Sequence, residues 1–191
     1  MFFFLSQSLE SKYPNFLSNQ SLFYCLAISE LTHGPFGAGP TINGRRVVGS
    51  PFTAIGPFAK ISIKAMLFVQ GIKTESKDGT VQTFGTFDEY DTFIVRESIV
   101  PQGEHISGVE ISLSVLHGEP RELGFVTNTN RHLGDLHSSI RSETVPRNID
   151  SGRTLISIEG ELVNYKGSAA CSEIITRLKF TFAGKKENTH E

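Results

Sequence analysis

Two cysteines, Cys25 and Cys171, are all that the 191 residues carry. A small secreted domain stapled by disulfides has more of them, at closer spacing. A bridge between these two would tie the N-terminal segment to the last strand; the blander reading is two buried thiols in a reducing compartment. Charge of one sign is equally scarce. Eighteen basic and 20 acidic residues leave a net charge of −2, so no broad positive field is there to hold a nucleic-acid backbone. Basic residues gather only into pairs, Arg45-Arg46 and Lys185-Lys186. Long apolar runs are missing as well. Met1-Phe2-Phe3-Phe4-Leu5 stops at Ser6, and the stretch from Leu22 to Ile28 begins too late for a signal peptide and lacks a basic flank. Neither approaches the ~20 residues of a membrane-spanning helix. Residues 1–30 are therefore expected to form a partly ordered arm on a soluble, cytoplasmic protein, where the sequon Asn19-Gln20-Ser21 stays unused. Tryptophan is absent, while 15 Phe and 18 Gly describe a globular, turn-rich chain.

Helical periodicity is the next absence: no segment sustains apolar residues at i, i+3, i+4. Period two takes its place from about residue 31. Ile61, Ile63 and Ala65 alternate with Lys60, Ser62 and Lys64, and Val109, Ile111, Leu113 and Val115 with Glu110, Ser112 and Ser114. Ile174, Leu178, Phe180 and Phe182 alternate with Arg177, Lys179 and Thr181. Shorter candidates are Val81–Phe87, Thr92–Val95, Leu123–Thr127 and Thr154–Ile158. Turn formers separate them: Gly71, Lys77-Asp78-Gly79, Pro101-Gln102-Gly103, His117-Gly118-Glu119-Pro120 and Asp150-Ser151-Gly152. Short strands recurring about every ten residues point to a closed or three-sheet all-β domain.

Catalytic and metal motifs mostly fail to materialise. The loop His33-Gly34-Pro35-Phe36-Gly37-Ala38-Gly39 is Gly-rich but lacks the Gly-Lys-Ser/Thr ending and the strand-to-helix context of a phosphate loop. Its glycines fit a backbone brought close to a ligand or another strand. His132, Asp135 and His137 could face a metal from one loop, but no further ligand stands at the usual spacing. Exposed loop histidines are the simpler reading, and no cofactor is expected. No Gly-x-Ser-x-Gly elbow occurs, and Cys171 has no nucleophile motif around it. The pairs Asp88/Glu89 and Glu159/Glu161 read as solvated strand edges, because a glycosidase pair is defined by separation in space. Nothing here requires an enzyme.

Several pieces in order carry a resemblance over residues 31–183. Gly34-Pro35-Phe36-Gly37-Ala38-Gly39 resembles a Gly-Pro-Trp-Gly opening followed by a glycine pair. Thr53-Ala54-Ile55, Lys60-Ile61-Ser62-Ile63 and Gly71-Ile72-Lys73 are similar to the hairpin that follows such an opening. The run from Glu97 through Gly103-Glu104-His105-Ile106 to Val109 resembles an "L-x-x-G-E-x-I-x-x-V" turn. Arg121-Glu122-Leu123-Gly124-Phe125-Val126-Thr127-Asn128, with Arg131 and Gly134, resembles "L-x-F-x-T-N-x-x-R-x-x-G". Together they resemble the jacalin-related lectins, which implies a β-prism of three four-stranded antiparallel sheets spanning residues 31–184, with 185–191 as a tail.

The resemblance implies a shallow sugar site at one end of the prism. One wall would be the Gly-rich loop, here Gly37 and Gly39. The other would be the loop before the last strand, whose "G-x-x-x-D" aspartate accepts sugar hydroxyls through charge-strengthened bonds. This chain departs from that pattern. In Tyr165-Lys166-Gly167-Ser168-Ala169-Ala170-Cys171-Ser172-Glu173, counting from Gly167 puts Cys171 at the aspartate position, and strand phasing puts Ser172 there. Glu173 is the loop's one acid. Tyr165 is an aromatic that could stack on a sugar or pack in the core. The implied function is a reversible carbohydrate-binding lectin, mannose/glucose-type by analogy with uncut relatives, with the Asp78-Gly79 turn as a further contact. A prism whose pocket has decayed into a protein-interaction or assembly module is the alternative. A homodimer through prism edges is the expected assembly.

Overall fold

A computed structural model describes residues 28–37, 39, 41–42, 45–65, 68–87, 94–115, 118–134, 142–145, 152–168 and 171–185, with only the backbone given at some strand ends. Every regular element among them is a strand. In chain order these are β1 (Ile28–Phe36), β2 (Thr41–Ile42), β3 (Arg45–Arg46), β4 (Ser50–Ile55), β5 (Phe58–Ala65), β6 (Val69–Ser76) and β7 (Val81–Gly85). There follow β8 (Ile94–Ile99), β9 (Ile106–Leu113), β10 (Pro120–Thr127), β11 (His132–Leu133), β12 (Ser142–Val145), β13 (Arg153–Ser168) and β14 (Cys171–Lys185). They build three antiparallel four-stranded sheets in the orders β1-β14-β13-β4, β7-β6-β5-β8 and β11-β10-β9-β12, with β2-β3 as a separate two-stranded ladder.

One core serves all three sheets. Phe52, Ala54, Leu155, Ile158, Leu178, Phe180 and Phe182 come from the first, Ile61, Ile63 and Ile72 from the second, and Val109, Ile111, Leu123 and Phe125 from the third. Each sheet is two-faced, so the three inner faces close on one another like the sides of a prism. Phe52 of β4 stacks on Phe84 of β7 at 4.7 Å between ring centroids, which fastens the seam between the first two sheets. At the same seam the Ile55 amide, on the free edge of β4, donates to Gln82 Oε1 at 2.8 Å, so a side chain blunts an open strand edge.

The first strand starts at Ile28 and the last runs to Lys185, so the sheet extends slightly beyond 31–184 at both ends. Cys25 and the rest of residues 1–27 lie outside the described residues, as does the thiol of Cys171. Two local expectations change. Gly71 sits inside β6, paired with Lys64 and Gly85, and is no turn; a Cβ there would lie 2.6 Å from the Phe87 ring, which occupies that space. The alternation of β5 marks two buried faces rather than one, because Ser62 and Lys64 are 4% and 1% exposed. Ser62 reaches Glu97 of the neighbouring β8 at 3.4 Å.

Two segments singled out by resemblance form one clasp at an end of the prism. Gly103, at φ 82°, turns the chain so that the Glu104 amide donates to the Pro101 carbonyl. Glu104 then points at the end of β10, where Arg131 Nη2 lies 3.5 Å from its Oε1. The β10 terminus closes on itself: the Thr127 amide donates to the Arg131 carbonyl, and the Asn130 amide to that of Thr127. Asn128 is sewn back to the Glu104 segment in both directions, its amide donating to the His105 carbonyl and its Oδ1 accepting from the His105 amide. The Thr127 hydroxyl first, then Thr129 and the Arg131 charge, hold the Glu104 carboxyl below the usual glutamate range.

That direction makes a prediction. A carboxyl whose folded pKa is depressed contributes stability that is present above its unfolded value, about 4.3, and is lost as pH falls through the lowered folded value. Asp78, lowered by the Thr80 amide, and Glu97, lowered chiefly by Lys60, add to the same acid loss. Thermal melts from pH 7 to pH 3 should therefore show a Tm deficit for Glu104→Gln that narrows below about pH 4. A deficit constant across that range would remove Glu104 from the charged clasp.

Candidate binding site

The Gly-rich turn and the β13–β14 hairpin share the other end of the prism. β1 runs antiparallel to β14, with Phe36 opposite Leu178, and Gly37 follows at once. Gly37 has φ 115° and a Cβ there would lie 2.1 Å from the Thr176 carbonyl oxygen. Gly39 has φ 80° and a Cβ there would lie 2.4 Å from Arg177 Nη2. Gly37 thus requires glycine because the turn is pressed onto the β14 backbone, before any ligand is considered; at Gly39 the near atom is the end of a side chain that can move, and the positive φ alone favours glycine.

β14 is irregular at this point. Arg177 pairs with Glu161 but Ile175 pairs with Leu162, so Thr176 is the extra residue of a β-bulge. Its hydroxyl points at the Glu161 carbonyl at 3.5 Å. The bulge reverses the phase of the strand: Leu178, Phe180 and Phe182 join the central core cluster, and beyond the bulge Ile175 joins it, with the adjacent Ile174 buried as well. Glu173 lies in phase with Ile175. Glu173 stands three residues from Thr176, about 10 Å along the strand at 3.3 Å per residue, and pairs with Asn164 in the ladder. Its Oε2 accepts a hydrogen bond from the Thr86 hydroxyl at 3.0 Å, across to the second sheet.

For the remaining expected residues the backbone alone is described. Tyr165, Lys166, Gly167 and Ser168 close β13, and Ser172 follows Cys171 at the start of β14. Ser168 pairs with Cys171, and three residues of β13 face one of β14 between that pair and Asn164–Glu173. Ala169 and Ala170 lie outside the described residues.

The Asp78-Gly79 turn is not part of this end. It joins β6 to β7 where Phe58 pairs with Ser76, beside Gly56, whose amide donates to the Ile156 carbonyl near the start of β13. That is the opposite end from the 168–171 hairpin. His132 Nδ1 lies 3.2 Å from Glu110 Oε1, while Asp135 and His137 lie outside the described residues. Among the described residues no three His, Cys, Asp or Glu side chains gather as metal ligands, and no helix is long and apolar enough to cross a membrane.

Thr86 and Arg177 are the residues that sequence reading missed here. Thr86 lies 87 positions from Glu173 and follows a strand end without any motif. Arg177 reads as one more polar residue of an alternating strand, yet its guanidinium packs at Gly39 while its Nη1 lies 3.9 Å from Glu161 Oε1.

No protein-family model and no curated protein sequence matches the chain. Solved structures do match. A wild-type lectin of Malaysian banana superposes with a TM-score of 0.55 at 14% identity, covering 82% of this chain and 100% of the lectin. A mannose-specific jacalin-related lectin from Morus nigra, solved with mannose, gives 0.55 at 14% identity, with coverages of 81% and 95%. Calystegia sepium agglutinin gives 0.54 at 14% identity, with 83% and 98% covered. Three four-stranded sheets closed on one core, in a chain that spans nearly the whole of each of these lectins, have the β-prism fold of the jacalin-related lectins.

Proposed function

We propose that this chain is a carbohydrate-binding lectin of the mannose/glucose type that holds sugar reversibly at the hairpin end of the prism, without turnover. The observation that carries the reading is the convergence of the Gly37–Gly39 turn and the Glu173 carboxylate on one end of one sheet, in a fold shared with a mannose-specific lectin. In this reading the backbone of Gly37 and Gly39 forms one wall. Tyr165, Lys166, Gly167, Ser168 and Ser172 form the other, and Glu173 replaces the missing aspartate as acceptor. A carboxylate accepts hydroxyl hydrogen bonds more strongly than a neutral oxygen does. Such an open polar site binds each sugar weakly, and a homodimer would raise avidity by offering two sites at once.

A specific observation favours a second reading. Glu173 Oε2 already accepts from Thr86, and Gly37 is demanded by packing on β14. A prism kept as a protein-interaction module would retain both features. Chromatography separates the two. On mannose-agarose the lectin reading expects retention and elution by free methyl α-mannoside, with retention lost in Glu173→Ala and weakened about tenfold in Glu173→Gln. Folded protein that passes unretained through mannose- and galactose-agarose would refute the reading. Retention unaffected by either substitution would remove Glu173 as the acceptor.

A further inference from the structure

The outer face of the first sheet carries a cleft apart from the sugar site proposed at the hairpin end. It has a volume of about 290 Å³ and lies over the centre of the sheet, between Pro35 of β1 and Pro51 of β4. Its floor is the β13–β14 pair, and its rim holds Thr53, Glu159, Glu161, Arg177 and Lys179. It lies near the small end of the ~300–1,000 Å³ range of ligand pockets.

The polar groups are balanced in sign and unequally satisfied. Lys179 Nζ and Glu159 Oε2 are closely paired at 2.7 Å. Arg177 Nη1 and Glu161 Oε1, the equivalent cross-strand pair, stand 3.9 Å apart, too far for a hydrogen bond. Arg177 Nε and Glu161 Oε2 are moreover buried with no hydrogen-bond partner. Native proteins satisfy most buried polar atoms, so this pair is under-bonded in the free chain. Two cations and two carboxylates give the cleft no net sign, which disfavours an ionic ligand. A group that both donates and accepts, such as a hydroxyl, could bridge a guanidinium and a carboxylate held at that separation. The two proline rings offer apolar walls for a C–H face. Neutral, rich in hydroxyls and apolar on one face is the chemistry of a saccharide.

We infer that this cleft is a second saccharide-binding site, with Glu161 accepting and Arg177 donating to sugar hydroxyls between Pro35 and Pro51. The choice of a saccharide rests on the lectin reading; the location does not. Arg177 also joins the two proposed sites, because its guanidinium packs against Gly39 of the turn at the hairpin end.

The test is an amide chemical-shift map of the full chain titrated with methyl α-mannoside and, separately, methyl α-galactoside. Two groups of shifted amides are expected, one at Gly37, Gly39, Thr86 and Glu173, and a second at Thr53, Gly160 and Lys179. Glu161→Gln keeps the shape of the side chain and should weaken the second group's binding about tenfold, the effect of a charged hydrogen bond. Should that variant fail to fold, the wild-type map decides alone. Shifts confined to the first group would overturn the second site and leave the lectin reading standing. Shifts confined to the second would support it and move the lectin's binding away from the hairpin end. No shift with either glycoside would overturn both.

Discussion

Gly37→Ala is expected to destabilise the fold by about 3 kcal/mol or more, against about 1 kcal/mol for Gly79→Ala. Both glycines have positive φ, 115° and 86°, so both substitutions carry the strain of an L side chain in that region. The surroundings separate them. A Cβ on Gly37 would lie 2.1 Å from a backbone oxygen of β14, whereas Gly79 has nothing within 4 Å. The oxygen belongs to the bulged residue Thr176, so relief would need the bulge itself to move. Urea denaturation of the two variants measures the difference directly. Equal stabilities would mean that the turn is not pressed onto β14, and its glycines would then need a ligand to explain them.

Phe180→Ala should cost about 3–5 kcal/mol and lower Tm by roughly 10 °C. Phe180 is fully buried in the middle of β14, opposite His33 and Ile158 and beside the Phe36 ring at 6.1 Å between centroids. The core is shared by three sheets, so the cavity would face side chains from each and could not be filled by the shift of one strand. Ile99→Ala serves as the control: Ile99 is 63% exposed, and its truncation should stay within about 0.5 kcal/mol. A Phe180 variant as stable as that control would contradict a single core joining the sheets.

How far such features could be read from the sequence depended on their range. The alternation at Val109–Leu113 and Leu178–Phe182 marks strands because period two is a local consequence of the pleat. Gly103-Glu104 and Thr127-Asn128 with Arg131 could be recognised as segments. That they form one clasp could not be, because the ion pair exists only once β9 and β10 are paired. The bulge at Thr176 left a trace, the adjacent Ile174-Ile175, where strict alternation breaks. One inserted residue reverses the phase of the strand across it. Thr86 left no trace, since its bond to Glu173 crosses from one sheet to another. Nor did the outer cleft: Glu161 and Arg177 look like ordinary solvated strand residues until their register sets them opposite each other.

The most direct test of the lectin assignment is a glycan-array screen of the folded, wild-type chain. Selective binding to a set of mannose- or glucose-terminated glycans, competed by free methyl α-mannoside, is the predicted result. A blank array from protein that melts cooperatively would contradict the assignment and leave the β-prism as an interaction module.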